Sequence, residues 1–264
     1  MPAGEATISA LDRGLTYGLG LYETIKLLDG VPAFFDEHCE RLETGLAGLE
    51  IEAPWTRERL AADMVALTRA AGATDGGCRM VVSAGPPWGG PSVLIHPLQR
   101  PHPREPLAVV TYRDLRASGE FKSVSFVASH RAQRAAARAG ADDALFVDTD
   151  GCIHEAATAN VFVARDGVLS TSPLDGSILP GVVRRMVEDL ARADGVEVVE
   201  RYTLVDQLSE EDTVILTSSV RGLAVVGSVD GVPVGCDHEL VRRLRRLVDA
   251  AERASAAAFR ERYL

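Results

Sequence analysis

Amine chemistry is the first possibility that the sequence raises. The chain has 28 basic residues, and only two of them are lysines, Lys26 and Lys122. Arginine stays protonated near neutral pH and cannot form a Schiff base, whereas a lysine can lose its proton and act as a nucleophile. A lysine that persists in an arginine-rich chain is therefore a candidate catalytic amine. On composition alone, a solvated surface position remains the alternative for both lysines.

Several polar segments lie at the ends of apolar runs, where functional sites tend to occur. They are residues 37–42, the surroundings of Lys122, residues 154–160, and two possible anion-binding turns at residues 179–183 and 217–219. Pyridoxal phosphate needs a lysine for its aldehyde, an acid for its ring nitrogen and a cradle for its phosphate. The segments supply each of these groups, although each one taken alone also has a plain structural interpretation.

The elements that must position these groups alternate between strand and helix patterns. Two strand-like runs, 22–28 and 31–35, flank Asp29-Gly30, and this dipeptide predicts a hairpin. Asp36 is then expected to cap a helix, and a second helix is expected to follow Thr56. Further along the chain, Pro180-Gly181 predicts the start of another helix, whose first amides are suited to bind an anion.

A proline-rich stretch divides the chain. Four prolines fall within residues 97–106, which excludes a regular strand or helix there. The sequence therefore predicts an N-terminal α/β domain over 1–99, a linker over 100–105, and a C-terminal α/β domain over 106–264 that carries Lys122.

Composition excludes several classes of protein. The chain has 264 residues, 46% of them apolar, and a net charge of −10 without a basic stripe, which argues against binding nucleic acid. No apolar run approaches the ~20 residues of a membrane span, and the N-terminus does not resemble a signal peptide. The four cysteines are widely spaced, so no metal site is expected. A cytoplasmic enzyme that acts on a small molecule is the expectation.

An ordered series of stretches resembles the signatures of the fold-type IV, or class IV, pyridoxal-phosphate enzymes. The family includes branched-chain and D-amino acid aminotransferases and aminodeoxychorismate lyase, and the resemblance runs from about Asp12 to Gly231. The matching stretches are 12–24, 37–42, 140–151, 155–162, 166–169 and 172–181. The resemblance implies an α/β fold of the α+β type with two domains, pyridoxal 5'-phosphate in the cleft between them, and a homodimer.

The resemblance also implies roles for individual residues. Lys122 falls at the position of the Schiff-base lysine, 18 residues before Gly140, and Glu155 falls at the carboxylate that holds the ring nitrogen. Lys26 keeps its surface interpretation. The implied phosphate cradle consists of Arg41, the amides of Val182 and Val183, Ser219 and, as a weaker neighbour, Ser218. The implied substrate contacts are Arg221, Tyr17 and Tyr22. Phe126 departs from the pattern, because a tyrosine is common at its position.

Two details favour a lyase within the family. Glu155 is followed by Ala-Ala-Thr-Ala-Asn160 rather than by glycine and a serine-rich turn, and 218–222 reads Ser-Ser-Val-Arg-Gly, similar to the lyases. The leading hypothesis is therefore aminodeoxychorismate lyase, in which Arg221 binds a substrate carboxylate. A D-amino acid or branched-chain aminotransferase is the alternative, and a catalytically inactive binding scaffold is a third hypothesis.

Overall fold

The computed structural model describes residues 3–99, 104–115 and 119–264. These residues form two compact units. The first unit contains the described part of Met1–Arg100 together with Phe121–Ser125 and Ser255–Leu264. The second unit contains the described part of Pro101–Glu120 together with Phe126–Ala254.

The first unit is built on a four-stranded antiparallel sheet. Its described elements are α1 (Arg13–Tyr17), β1 (Gly20–Leu28), β2 (Val31–Pro32), α2 (Phe35–Gly48), α3 (Arg57–Ala71), β3 (Gly76–Ser83) and β4 (Ser92–Leu98). The strands follow the order β2-β1-β3-β4. Along β1 the side chains of Leu21, Glu23, Ile25 and Leu27 are buried. The alternation of strand side chains therefore directs Glu23 inward with the apolar core and turns Tyr22 to the opposite face.

The start of the first unit tests the local predictions. The hairpin is confirmed, since Leu28 pairs with Val31 across Asp29 and Gly30, which both have positive φ. The helix after Thr56 is also confirmed, and the Thr56 side chain accepts a hydrogen bond from the amide of Arg59. The prediction that Asp36 caps a helix is wrong. The N-cap of α2 is Phe34, two residues earlier and in the left-handed conformation, and Asp36 accepts a hydrogen bond from the Tyr263 hydroxyl instead.

The second unit contains a larger mixed sheet with helices. Its described elements are β5 (Leu107–Arg113), α4 (Val127–Arg138), β6 (Asp143–Val147), β7 (Cys152–Ala156), β8 (Asn160–Arg165), β9 (Val168–Thr171), α5 (Val182–Ala193), β10 (Glu197–Glu200), β11 (Thr203–Leu204), β12 (Thr213–Ser218), β13 (Gly222–Val229), β14 (Val232–Pro233) and α6 (His238–Tyr263). In the described residues the strands follow the order β10-β9-β8-β12-β13-β5-β6-β7-β11, with β14 paired to β13. As predicted, α5 begins directly after Pro180-Gly181.

The two units divide the chain differently from the division expected from the sequence. Phe121–Ser125, which carries Lys122, clusters with the first unit rather than with the C-terminal part of the chain. The reason is backbone pairing with β1, because Leu21 of β1 forms an isolated antiparallel bridge with Ser123. The last helix, α6, likewise contributes its final residues to the first unit. Residues 100–103 of the expected linker lie outside the described residues.

No helix in the described part of the chain is both long enough and apolar enough to cross a membrane.

Candidate active site

Lys122 lies on a short segment that runs beside β1. The amide of Tyr22 donates a hydrogen bond to the Lys122 carbonyl at 2.9 Å, and the amide of Val124 donates to the Gly20 carbonyl at 3.0 Å. This pairing brings the Lys122 side chain to the face of β1 that carries Tyr22. The Lys122 Nζ atom lies 4.9 Å from the centroid of the Tyr22 ring. The structure therefore brings together the amine and one of the two tyrosines that the sequence indicates.

The guanidinium group of Arg79, on β3, also packs against the Tyr22 ring. Its guanidinium carbon is 4.8 Å from the Tyr22 centroid, and its Nε donates to Thr24 Oγ1 at 3.3 Å. Arg79 was not among the predicted site residues, because its place beside Tyr22 depends on the β1–β3 register, in which Thr24 pairs with Arg79. Two cationic side chains thus approach one aromatic ring, which suits the binding of an anionic substrate next to an amine.

A buried ionic cluster lies on the other face of β1. Arg41 of α2 donates from Nε to Glu23 Oε1 at 2.8 Å and from Nη2 to Glu23 Oε2 at 2.6 Å. His38, one helical turn earlier, places its Nδ1 2.7 Å from Glu23 Oε2. The contact with Glu23 fixes the Arg41 guanidinium in one orientation, since a bidentate pair is geometrically specific.

The charges of this cluster are set by burial and by its own members. Burial raises the pKa of Glu23, but the Arg41 charge and the His38 contact outweigh it and hold the pKa well below the usual range. For His38, burial lowers the pKa more strongly than Glu23 raises it, and the charges of Arg41 and Lys122 lower it further. The cluster is therefore an ionised glutamate, a charged arginine and a neutral imidazole. Glu23 and His38 were missed as site residues, although both fall inside the family-like stretches.

Glu155, on β7 of the second unit, is 3% exposed. Its Oε2 accepts a hydrogen bond from the backbone amide of Leu179 at 3.1 Å. The Leu179 carbonyl in turn accepts a hydrogen bond from Asn160 Nδ2 at 2.8 Å. The amide and the carbonyl of Leu179 are thus both hydrogen-bonded, and the Glu155 carboxylate has a defined direction.

The predicted anion cradle is at the start of α5. Gly181 is the N-cap residue, and a Cβ atom on it would overlap Asn160 Oδ1. Only glycine therefore permits this approach between the helix start and β8. The amides of Val182 and Val183 occupy the first helical turn, whose N–H groups have no carbonyl partner inside a helix and favour an anion.

Ser218 and Ser219 lie at the end of β12, and both are partly buried. Thr217, the first residue of the predicted anion-binding turn at 217–219, supplies a neighbouring hydroxyl. Thr217 pairs with Asn160 across the β12–β8 ladder, so the two side chains leave the sheet on the same face. Thr217 Oγ1 is buried and has no hydrogen-bond partner among the described residues. An orphaned hydroxyl on the face where Asn160 reaches Gly181 fits a cradle that receives a phosphate.

Two predicted substrate contacts have distinct surroundings. Arg221 lies in the turn between β12 and β13, where its Nη1 is 3.9 Å from Asp143 Oδ2 and hydrogen-bonds to no described side chain or backbone group. Tyr17 ends α1 and is 81% exposed, in contrast to the partly buried Tyr22. Within the described residues, no group of three histidine, cysteine, aspartate or glutamate side chains gathers where it could hold a metal ion.

Comparison with known proteins decides the family. The family model of the class IV aminotransferases matches residues 20–229. The chain belongs to this family. A putative branched-chain-amino-acid aminotransferase of Methanocaldococcus jannaschii is 29% identical over 86% of this chain and 84% of its own length. The aminodeoxychorismate lyase of Bacillus subtilis is also 29% identical, over 89% of this chain and 86% of its own.

A solved structure confirms the predicted fold class. The crystal structure of a putative 4-amino-4-deoxychorismate lyase from Legionella pneumophila is similar with a TM-score of 0.88 and 25% identity, over 95% of this chain and 97% of the other. The mixed α/β fold expected from the sequence is thus the fold of the class IV enzymes. These enzymes use pyridoxal phosphate, and the prediction of a pyridoxal-phosphate-dependent enzyme is confirmed.

Each unit has groups that suit part of this cofactor. In the second unit, the glycine-dependent approach at Gly181 and the orphaned Thr217 hydroxyl suit its phosphate. The Lys122 amine suits its aldehyde, and the oriented Glu155 carboxylate suits a protonated ring nitrogen. Bound pyridoxal phosphate supplies an electron sink, which stabilises negative charge that develops on the carbon bearing the substrate's amine.

Proposed function

We propose that this enzyme is an aminodeoxychorismate lyase, which converts 4-amino-4-deoxychorismate to 4-aminobenzoate and pyruvate. The observation that carries the choice is the turn after β12, where Arg221 follows Ser218 and Ser219 in the order that resembles the lyases. The Ala159-Asn160 pair after Glu155 supports the same choice, as do the lyase relatives.

The proposed substrate carries two carboxylates, one on its ring and one on its enolpyruvyl group. Arg221 is a guanidinium group able to bind one of these carboxylates with paired hydrogen bonds. Arg221 Nη1 is buried and makes no hydrogen bond to a described group, so a carboxylate there would satisfy a donor that is costly to leave unpaired. The amino donors of the branched-chain alternative have a single carboxylate and an apolar side chain.

Lys122 is the proposed proton carrier. Its amine would take the proton from the ring carbon that bears the substrate's amino group, and a protonated Lys122 would then deliver a proton to the departing enolpyruvyl oxygen. Elimination leaves an aromatic ring, which helps to drive the reaction. Glu155 would keep the cofactor's ring nitrogen protonated throughout, while Arg41, Val182 and Val183 would hold the phosphate and thereby the geometry.

The direct test is product formation. The purified protein is loaded with pyridoxal phosphate, given 4-amino-4-deoxychorismate, and followed by the fluorescence of 4-aminobenzoate, with Lys122→Ala as the inactive variant and Lys26→Ala as the matched control. The proposal expects product from the parent and from Lys26→Ala and none from Lys122→Ala. Cofactor uptake without any product would contradict the lyase proposal.

An aminotransferase acting on a D-amino or branched-chain amino acid is the second candidate, and the 29% identity to a putative branched-chain enzyme favours it. Lys122 would then move a proton between the substrate's carbon and the cofactor, and a 2-oxo acid would be required. Conversion of the bound cofactor to its amine form by an amino donor distinguishes this candidate. Failure of the folded protein to take up pyridoxal phosphate at all would support the inactive-scaffold hypothesis.

The enzyme is also proposed to be a homodimer in the cytoplasm. Large apolar side chains of the first unit are exposed to solvent, among them Leu15, Tyr17 and Trp88, and such surface is typical of an interface. The four cysteines are unbridged thiols, which suits a reducing compartment. Light scattering of the parent and of Trp88→Glu tests the dimer, and cell fractionation tests the location.

A further inference from the structure

The loop between β9 and α5, residues 172–181, carries two parts of the proposed cofactor site. Its residue Leu179 holds Glu155, and its end at Gly181 begins the helix whose amides are proposed to bind the phosphate. A displacement of this loop would therefore disturb the carboxylate and the phosphate cradle together. The groups that fix the loop consequently determine how well the site is organised.

A chain of polar side chains ties this loop to β7 through His154. The Nε2 atom of His154 is 3.1 Å from Asp148 Oδ2, and its Nδ1 atom is 2.9 Å from the hydroxyl of Ser177 in the loop. Ser177 Oγ is also 3.1 Å from the Tyr202 hydroxyl, which donates to Asp175 Oδ2 at 2.5 Å. Asp175 Oδ1 accepts the Ser177 amide at 3.0 Å and closes the network.

The position of His154 in the sequence makes this network informative. His154 directly precedes Glu155 on β7, so the two side chains leave the strand on opposite faces. One strand thus contacts the same loop twice, through His154 to Ser177 and through Glu155 to Leu179 two residues later. His154 is 6% exposed, and each of its two ring nitrogens lies within hydrogen-bond distance of a side-chain oxygen.

The loop has close backbone packing on a further side. A Cβ atom on Gly119 would overlap the Ser177 carbonyl group and approach the amide of Ile178 to 2.6 Å. Ser172, at the start of the loop, donates from its hydroxyl to the Ile153 carbonyl at 2.8 Å. The loop is therefore clamped at Ser172 and Ser177 before it reaches Leu179, and the second clamp is His154.

We propose that His154 is a positioning residue. It contacts both Ser177 of the 172–181 loop and Asp148 in the turn before β7, and it thereby fixes the loop that organises the cofactor site. This inference rests on the proposed function, in which Glu155 and the first amides of α5 bind the cofactor, and it adds residues that do not touch the cofactor. Loss of the clamp is expected to loosen Leu179 and Gly181, so that Glu155 loses its fixed direction and the phosphate amides become mobile.

Two amide variants distinguish the Ser177 contact of His154 from its Asp148 contact. In His154→Asn the side-chain amide lies near the former Nδ1 position and retains the Ser177 contact, whereas in His154→Gln it reaches the former Nε2 position and retains only Asp148. The proposal expects His154→Asn to bind pyridoxal phosphate nearly as the parent does and His154→Gln to bind about tenfold more weakly, which is the effect of one well-made hydrogen bond. The absorption spectrum of the bound cofactor should change in His154→Gln only.

A readout without the cofactor tests the loop itself. Hydrogen–deuterium exchange of peptides that cover residues 173–182 is expected to rise in His154→Gln and in Ser177→Ala and to stay near the parent level in His154→Asn. The double variant His154→Gln/Ser177→Ala should exchange no faster than Ser177→Ala alone, because Ser177→Ala already removes the contact that His154→Gln loses. Ser177→Ala also keeps the proposal testable if His154→Gln does not fold.

The matched control is Ser170→Ala, which removes a buried hydroxyl bond to the Val163 carbonyl in the same sheet without touching the loop. An equal loss of cofactor affinity in Ser170→Ala, or unchanged exchange and affinity in folded His154→Gln and Ser177→Ala, would overturn the proposal. A parent protein that takes up no pyridoxal phosphate would instead contradict the proposed function, while the exchange measurements would still decide whether His154 clamps the loop.

Discussion

Two buried glutamates, Glu23 in the first unit and Glu155 in the second, are held in different ways. Glu23 accepts two hydrogen bonds from Arg41, a full positive charge, and contacts His38. Glu155 accepts a hydrogen bond from the backbone amide of Leu179, which carries no formal charge. The first arrangement neutralises a carboxylate and fixes an arginine, whereas the amide contact of the second directs a carboxylate without neutralising it.

This difference indicates different tasks for the two carboxylates. A carboxylate neutralised by the protein's own arginine is suited to positioning, because its charge is already compensated within the fold. A carboxylate oriented by a neutral amide can hold a protonated ring nitrogen of the cofactor. We therefore propose that Glu23 supports Arg41 and that Glu155 takes part in the chemistry of the cofactor.

The largest expected effect follows from Glu155→Gln. The variant keeps the shape of the side chain and the Leu179 contact but removes the negative charge, so the ring nitrogen loses its proton. The turnover rate should fall about a thousandfold, while cofactor affinity falls far less. Steady-state kinetics and a cofactor titration check this. Equal losses in both quantities would place Glu155 with Glu23 as a structural carboxylate.

A large loss of stability is expected from Glu23→Gln. Arg41, which is only partly buried, would lose the charge of its Glu23 partner, so the unfolding free energy should fall by roughly 1–3 kcal/mol. Chemical denaturation measures this free energy, and cofactor affinity should fall as well because Arg41 loses its orientation. Glu52→Gln, at an exposed position shortly after the same helix, is the control and should change neither quantity.

The pH dependence of the unfolding free energy tests the structural role of Glu23 in a second way. The pKa of Glu23 is lowered by folding, so its stabilising contribution is fully present above the unfolded pKa of about 4.5 and is lost as the pH falls toward the folded value. Between about pH 5 and pH 3, a range that spans this unfolded pKa, the parent should lose more unfolding free energy than Glu23→Gln. Parallel curves for the two proteins would show that the ionised Glu23 pair does not stabilise the fold.

An intermediate effect is expected from Gly181→Ala. The new Cβ would overlap Asn160 Oδ1 and push the start of α5 away from β8, so the affinity for pyridoxal phosphate should fall about tenfold. Gly90→Ala is the control, because nothing lies within 4 Å of the Cβ that it would add. Equilibrium binding monitored by cofactor absorption compares the two variants.

The smallest effect is expected from Thr217→Val. The variant removes a buried hydroxyl that has no partner in the described residues, so the unfolding free energy of the cofactor-free protein should stay level or rise slightly. Affinity for the cofactor should nevertheless fall several-fold, because the hydroxyl is proposed to contact the phosphate. A variant that is less stable and binds equally well would place Thr217 outside the cradle.

Local features of the fold follow from the sequence, whereas the contacts between distant segments do not. Asp29-Gly30 needs positive φ at both positions, and Thr56 needs only an amide three residues later, so both were predictable. The Asp36 cap failed because Phe34 adopts a left-handed conformation that tertiary packing decides. The domain of Lys122 also depends on a long-range contact, the pairing of its segment with β1.

The same limit applies to the candidate site. Lys122, Glu155 and Arg41 were indicated by residue type and resemblance. The groups that support them were not predicted, because the contact of Glu23 with Arg41 depends on the packing of β1 against α2. The clamp at His154 likewise joins Ser177, which is 23 residues away along the chain.

The central claim, that Lys122 is the amine that holds the cofactor, has a direct test. The protein loaded with pyridoxal phosphate is reduced with borohydride, digested, and analysed by mass spectrometry for the lysine that carries the cofactor. Since the chain has only Lys26 and Lys122, the measurement has a built-in comparison. The account predicts the modification on the peptide that contains Lys122. Modification of Lys26 alone, or of neither lysine in the loaded protein, would contradict it.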